Sequence, residues 1–479
     1  MAGPSCVVSP RPTRARAFTT FKNRHATVAL VLLIGVDDTD SRAGGCTTVL
    51  AQALVAAFAE LTPAGPPRLV RLHPQVRHKT RGNAAVALAF VDAPDGGLDA
   101  ALARARDVVA AHARTDPGTQ PGIVVAHEPP PAAFYDAAVT RTVSAQEAAA
   151  ARVSIDARVW GGRGLIGATA ALAWPAAARA AAAGTTWERI AYRAAATVGR
   201  ARDVDASRVA AIDAAFPSLF DSYDESQREV VCVPRSPCPV LWGLRGDDAD
   251  ELARAAATLG PQRPEYETLF LTNQASDDHL IEATLATAMP DRNVRVTGRV
   301  IGRAREQGGV VFIELEDDGA RLRLAAYPPT GRFRALVAML AAGDEVVACG
   351  SVRLGPDGAP TLGLEKFALL SAAPRKVANP RCPVCARAMR SAGRGAGYRC
   401  RAGHARLPEQ AAPTRAAPLA LGWHEVPPRA RRHLAMPLQR LLGMVEGGGA
   451  VGGSGARAWD LRRGVCGGSI SADIAAPET

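Results

Sequence analysis

The chain has 479 residues, with 57 Lys and Arg against 46 Asp and Glu and a net charge of +11. That length holds several domains, and the basic balance favours a polyanionic partner without identifying one. Nine cysteines, an odd number and mostly scattered, argue against a secreted disulfide framework, and the longest apolar run, residues 26–36 with one Thr, is too short to span a membrane.

Residues 1–29 carry Arg11, Arg14, Arg16, Lys22 and Arg24 and no acid. They read as an unstructured basic extension rather than a transit peptide. From Val28 to Val36 the chain is almost wholly apolar and strand-length, which predicts a strand buried on both faces. It ends in Asp37, Asp38 and Asp40, then Gly44 and Gly45, then Cys46-Thr47-Thr48, and an apolar-periodic helix over 49–61. Glycines let backbone N–H groups approach an anion, a helix N-terminus adds positive dipole, and carboxylates hold magnesium through oxygen. A capped helix after a solvated acidic turn fits the same residues. The pattern is neither GxxxxGK[ST] nor GxGxxG.

A short strand at 68–72 leads to a loop holding Arg77, His78, Lys79, Arg81 and Asn83, followed by a buried strand at 84–90. The loop reads either as a solvated turn or as an anion-binding element facing the acidic loop, with Lys79 and Arg81 on phosphates and Asn83 on a base or ligand. A helix over 98–113, a strand at 123–127 and helix over 134–150 come next. Then Gly161, Gly162, Gly164 and Gly167 surround Arg163 before an Ala/Leu helix. Such glycines cradle phosphate or permit close helix–sheet packing, and the residues alone favour neither.

Residues 184–260 mix strands (187–193, 229–233, 239–244) and helices (204–216, 250–259) in a ferredoxin-like proportion. The strand at 268–272 ends in a polar stretch, Asn273 to Leu280, which reads as an exposed linker. From Asn293 the texture is all-β: five short strands with a helix over 330–341 after the third, the order of an OB-fold. Arg295, Arg299, Arg303, Arg305, Arg321, Arg323 and Arg332 lean toward nucleic acid; a barrel without a ligand is the plain alternative.

Cys382-Pro-Val-Cys385, fourteen residues, then Cys400-Arg-Ala-Gly-His404 reads as a zinc ribbon. The second CxxC is incomplete, because position 403 is Gly, and His404 is the best fourth ligand. The basic stretch from Arg429 to Arg440 reads as an RNA contact or a solvated helix, and the Gly/Ala-rich tail from Glu446 as disordered.

In this order the motifs resemble the archaeal synthetases that make 2-agmatinylcytidine at the wobble position of the AUA-decoding isoleucine tRNA, the TiaS family. The likeness runs from about residue 30 to 440. It rests on Gly35 to Asp40 with Gly45 to Thr48, Lys79 to Asn83, Gly162 to Gly167, Ala191-Tyr-Arg193, Thr272 to Gln274 with Asp277 to Leu280, then the barrel and ribbon. The resemblance implies a multidomain α+β chain: a kinase-like α/β ATP-binding domain (30–155), a ferredoxin-like domain (156–285), an OB-fold β-barrel (286–373), a zinc ribbon (378–408), and a C-terminal basic helix with a Gly-rich tail (409–479). It also implies a cytoplasmic ATP-dependent C–N ligase with ATP, Mg2+ and Zn2+, tRNA and agmatine as substrates, and no membrane. In that family the cytidine C2 oxygen, a poor leaving group, is phosphorylated and then displaced by the agmatine amine, with ATP consumed to AMP and two phosphates. By position, Asp37, Asp38 and Asp40 would hold magnesium and phosphates, and Thr47 matches the threonine that the family autophosphorylates. Gly44, Gly45, Thr48, Lys79, Arg81, Asn83, Gly162, Arg163 and Gly164 would bind the nucleotide. Two departures stand out. The family's NQGTDDHL has Ala275 and Ser276 here, and the ribbon lacks its fourth Cys. A non-catalytic OB-plus-ribbon nucleic-acid binder and a small-molecule kinase are the competing readings. ATP consumption that needs tRNA and agmatine together separates them.

Overall fold

The computed structural model describes residues 31–441 except 182, 183, 261, 377, 394, 416 and 417. The expected basic extension and Gly-rich tail lie outside the described residues. No helix among the described residues is long and apolar enough to cross a membrane.

The apolar run forms strand Val31–Asp37, and its burial on both faces has a simple cause. Leu32, Ile34 and Val36 face a core closed by helices Val49–Ala57 and Gly97–His112. Leu33 faces a second core built from Ala132–Thr140, Ala145–Arg152 and Leu165–Ala173. The strand pairs antiparallel with Ala84–Val91 and Gly122–Ala126. Continuous apolarity here reflects two helix layers over an antiparallel sheet. The helix expected over 134–150 is two helices. Ser144, in the extended region, starts the second with a capping box: Glu147 N–H donates to Ser144 Oγ (3.2 Å) and Ser144 N–H to Glu147 Oε2 (2.8 Å).

Strand Ala157–Gly161 pairs with Gly122–Ala126, and the following helix Leu165–Ala173 buries its apolar side in the core under Leu33. A boundary at 156 therefore cuts through the first body. The sheet then continues into the second. Arg68–Arg71 lies parallel to Tyr266–Thr272, which pairs with Thr186–Tyr192, and that with Val240–Gly246. Helices Ala206–Ala215 and Ala249–Ala256 supply Val209, Ile212, Leu252 and Ala255 to the core over this half. The strand expected over 229–233 shrinks to Glu229–Val230, a ribbon with Tyr223–Asp224.

The five barrel strands are Arg292–Val300, Val310–Asp317, Ala320–Ala326, Glu345–Leu354 and Pro360–Ser371, with helix Arg332–Ala338 after the third. Pairing of Arg299 and Val300 with Glu316 and Leu315 closes the barrel. This is the OB-fold order. One strand is added to it that the pattern does not announce: Gly422–Glu425, from the C-terminal stretch, pairs with Pro360–Ser371.

The stretch from Asn273 to His279 is not an exposed linker but a buried strap between bodies. Asn273, Gln274, Ser276, Asp277 and His279 are all buried. Asn273 accepts from Arg71 N–H (2.7 Å) and donates to Arg71 C=O (2.8 Å). Asp278 accepts from Tyr135 Oη (2.6 Å), and His279 Nε2 meets Glu365 Oε2 at 2.9 Å. Asp277 accepts from Lys366 Nζ (2.5 Å) and from Met436 N–H (2.7 Å). The basic stretch 429–440 is likewise no solvated face. Arg431 pairs with Asp221 and Glu425, and Arg440 with Asp247, both guanidiniums being buried.

Two outcomes are expected. Asp277→Ala takes the carboxylate away from the buried Lys366 ammonium and should cost about 3–5 kcal/mol, read as a lower denaturation midpoint. Adding Lys366→Met should recover most of it, and an unchanged midpoint in the single variant would contradict this. The second concerns His73, which bridges the first body to the barrel. Asn293 Nδ2 donates to its Nδ1 (3.2 Å), leaving Nε2–H for Asp291 (3.2 Å). Burial pushes its pKa down to about 4. The unfolded chain therefore takes up the proton first. This contribution is fully present above pH 6.5 or so and is lost as pH falls toward 4. Glu365 acts in a lower window, because its pKa is about 2: burial raises it, and His279 and Arg432 more than offset that. Denaturation midpoints measured between pH 4 and 7 should fall with pH in the parent and less steeply in His73→Gln.

Candidate active-site cleft and metal centre

A cleft of about 450 Å³ opens where strand Val31–Asp37 ends. Asp37, Asp38, Asp40, Thr47 and Thr48 line one wall, and Lys79, Arg81, Asn83, Arg163 and Gly164 other parts. The acidic loop and the basic loop, separate in sequence, thus face one another.

The three carboxylates are compensated unequally. Asp38 accepts from Arg163 (2.6 Å) and from Gln120 N–H (3.1 Å). Asp40 is paired with Arg81, which also donates to Gly45 C=O (2.7 Å). Burial nonetheless raises the Asp40 pKa, Arg81 offsetting part of the effect. Asp37 accepts Asp38 N–H (2.7 Å), and no cation forms an ion pair with it among the described residues. Its pKa is pushed well above the usual carboxylate range, first by burial and further by Asp38 and Asp40.

Thr47 is buried and its hydroxyl accepts from Thr39 (3.1 Å). The N-cap of helix Val49–Ala57 is Thr48, whose side chain makes no cap hydrogen bond. Thr48 Oγ1 lies 3.0 Å from Cys46 Sγ instead. The hydroxyl pair is therefore not explained by capping.

The glycines shape both loops. Ser41 and Gly44 exchange backbone hydrogen bonds (3.0 and 3.2 Å), and Gly45, at φ +78°, lies against Arg114. In the second motif the Gly162 and Gly164 N–H groups donate to Pro121 and Gln120 carbonyls (2.8 and 2.9 Å). A Cβ on Gly164 would collide with the Asp37 carbonyl oxygen, and one on Gly167 with Asp37 Oδ2. These glycines let a helix start directly against Asp37. Asn83 donates to His73 C=O (3.0 Å) and Lys79 to Pro74 C=O, so both shape their own loop.

The floor of the cleft lies outside the motifs read from the sequence. Glu188 accepts from Arg71 (3.2 Å), Arg245 (3.4 Å) and Gln274. Burial raises its pKa, but Arg71 and Arg245 bring it below the ordinary value. The alternation Glu188, Ile190, Tyr192 puts an acid on the buried face of a strand, a signal present in the sequence. His433, delivered from the basic C-terminal stretch, also lines the cleft, and nothing local in the sequence marks it.

In the ribbon, the ligand atoms of Cys382, Cys385, Cys400 and His404 all lie within 4.8 Å of one another. Cys385 Sγ and Cys400 Sγ are 3.6 Å apart, close to the tetrahedral edge set by Zn–S bonds of about 2.3 Å. The turn at Gly403 (φ +77°) swings His404 into the position a cysteine would hold. The Cys400 pKa falls to about 7, first through the Ala402 N–H. The donor set fits zinc.

Four domain families match along the chain. The TiaS TCKD domain covers 33–162, the TiaS FLD domain 162–279, an OB-fold nucleic acid binding domain 294–370, and the TiaS C-terminal zinc ribbon domain 379–410. The isoleucine-tRNA 2-agmatinylcytidine synthetase TiaS of Methanopyrus kandleri is 38% identical over 434 residues, 86% of this chain and 98% of that protein. The chain belongs to the TiaS family. The TiaS of Haloquadratum walsbyi is 36% identical over 464 residues, covering 85% of this chain and 97% of its own. Among solved structures, a complex of TiaS with its isoleucine tRNA and ATP aligns with TM-score 0.73 at 34% identity, over 86% of this chain and 97% of that one. A complex of TiaS with the same tRNA, AMPCPP and agmatine aligns with TM-score 0.72 at 32% identity and the same coverage.

Purified protein should carry one zinc per chain by metal analysis. Cys382→Ser should lose it and unfold the ribbon, since binding and folding are coupled in such modules. His404→Ala should hold zinc more weakly against a chelator. A parent without zinc would exclude the site, and a His404→Ala variant with unchanged affinity would exclude His404 from it.

Proposed function

We propose that this chain is a 2-agmatinylcytidine synthetase that joins agmatine to C2 of the wobble cytidine of AUA-decoding isoleucine tRNA at the expense of ATP, in the cytoplasm. The observation that carries the reading is the cleft itself: the carboxylates of Asp37, Asp38 and Asp40, the buried Thr47 hydroxyl and the guanidiniums of Arg81 and Arg163 converge in one cavity of a chain matching TiaS proteins over nearly their full length. An inert N-terminal half in a mere nucleic-acid binder would have no use for such a convergence.

The cytidine C2 oxygen leaves only after a phosphoryl group is attached to it. The agmatine nitrogen then forms its bond to C2, the C2–O bond breaks, and phosphate departs. ATP is consumed to AMP and two phosphates, one departing with the C2 oxygen and the other released to water from its threonine acceptor. Thr47, held by Thr39 and beside the acids, is the phosphoacceptor in this reading. Arg81 and Arg163, anchored on Asp40 and Asp38, neutralise charge on the transferred group. Asp37, a carboxylate without a cationic partner, fits a magnesium ligand shared with Asp38 and Asp40, and magnesium there would bind phosphate oxygens. The barrel and the ribbon carry the tRNA.

Mass spectrometry of the target tRNA after incubation with ATP and agmatine should show the agmatine adduct, and only when all three are present. Asp37→Asn should abolish the adduct while leaving the fold intact. Thr47→Ala should lower the yield by at least about tenfold, well beyond what loss of a cap worth about 1 kcal/mol of stability would cause. Phosphopeptide mapping after ATP alone should find phosphate on Thr47. Phosphate on Thr48 instead, or an active Asp37→Asn enzyme, would refute these assignments.

A further inference from the structure

Adjoining the main cleft, and sharing Arg71, Lys79, Arg81, Asn83 and His433 with it, lies a second cavity of about 320 Å³ that Pro74, Arg432 and Leu434 complete. Arg71, Lys79, Arg81, Arg432 and His433 line it, and no carboxylate does. The main cleft, by contrast, has Asp37, Asp38, Asp40 and Glu188 on its walls. Arg71, Arg81 and Arg432 pair outward with Glu188, Asp40 and Glu365. Lys79 is different. No carboxylate pairs with it among the described residues, and its ammonium donates to the Pro74 carbonyl. Burial, with Arg432 and Arg353 nearby, pushes its pKa down. Two buried nitrogens of the lining residues, His433 Nδ1 and Arg71 Nε, have no hydrogen-bond partner.

The cavity sits at a three-way junction. Loop 73–83 of the first body and segment 432–434 build it. The barrel adjoins it through Arg353, which donates to Gln75 (3.0 Å), while Gln75 donates to Arg292 C=O (3.1 Å). The cavity thus lies between the barrel and the cleft.

We propose that this cavity is a phosphate subsite for the substrate RNA, in which Lys79 and Arg432 hold the backbone phosphate beside the nucleotide whose base enters the cleft. The proposal rests on RNA being the substrate. A cleft walled by carboxylates takes phosphate through a cation, whereas a cavity free of them takes it directly by charge-assisted hydrogen bonds. The phosphates of ATP belong beside Thr47, in the main cleft. Lys79 is thereby moved from the nucleotide to the RNA.

The test uses the full chain and a transcript of the AUA-decoding isoleucine tRNA. RNA binding is measured over a range of salt, and ATP binding without RNA. For Lys79→Gln the RNA Kd should rise about tenfold and the log–log salt slope should fall by about one. Lys79→Arg should restore both, and ATP affinity should stay within about twofold in either variant. A fall in ATP affinity with an unchanged salt slope would assign the phosphate to ATP and overturn the proposal. Unchanged RNA and ATP binding in Lys79→Gln would also overturn it. A parent that binds no RNA would defeat the functional reading itself, an outcome distinct from a parent and variant that bind alike.

Discussion

The buried Asp277–Lys366 pair is the contact on which the relation of the bodies depends. Asp277 follows the last strand of the shared sheet, Lys366 lies in the middle of a barrel strand, and both side chains are almost fully buried. The same carboxylate accepts Met436 N–H, and Lys366 also donates to Met436 C=O (3.0 Å). One ion pair therefore holds sheet, barrel and C-terminal segment together. Its neighbours extend the same logic. Asn273 bonds both backbone groups of Arg71, continuing in side-chain form the parallel ladder that ends at Thr272 and Leu69. Asp278 reaches Tyr135 and Arg179, and His279 reaches Glu365. An apolar joint would tolerate sliding. A joint of buried polar groups is stable in one arrangement only, because any shift leaves a desolvated group unsatisfied.

That rigidity matters for the cleft, whose walls belong to different bodies. The acidic loop and Arg81 come from the first, Glu188 and Arg245 from the second, and His433 from the segment beyond the ribbon. Gln274 joins the strap to the floor by donating to Glu188, while Ala275 N–H donates to His433 C=O (2.8 Å). The strap thus fixes both the seat of Glu188 and the position of His433. Positioning of reacting groups to a fraction of an ångström needs this kind of support from behind.

Much of this is legible in the sequence, and the reasons differ by feature. The first strand, the barrel order and the acidic loop follow from periodicity and local composition. His404 follows from ligand arithmetic, and the positive-φ turn at Gly403 supplies the geometry. The strap misleads because a run of mostly polar residues looks solvated. Their partners, Tyr135, Lys366 and Glu365, lie far away in the chain and carry no local mark. The glycines of 161–167 are ambiguous for another reason. A glycine indicates that something comes close, not what it is, and Asp37 Oδ2 at the ideal Cβ of Gly167 is a neighbour that no local pattern announces. Glu188 is visible as an acid on a buried strand face, but no motif draws attention to it.

The C-terminal stretch shows how charge misleads when read alone. Its arginines suggest a solvated or RNA-facing helix, yet Arg431 and Arg440 are buried in ion pairs that lock the stretch against the second body. Gly422–Glu425 meanwhile extends the barrel. The chain leaves the barrel for the ribbon at Ser371 and returns to it at Gly422, so the ribbon hangs from the barrel by two anchored ends. The returning segment then passes the cleft at His433 and ends against the second body, where Gln439 donates to the Pro217 carbonyl (2.9 Å) and Arg440 pairs with Asp247. His433 in the cleft therefore lies on the same segment as the strand added to the barrel and the ion pairs to the second body.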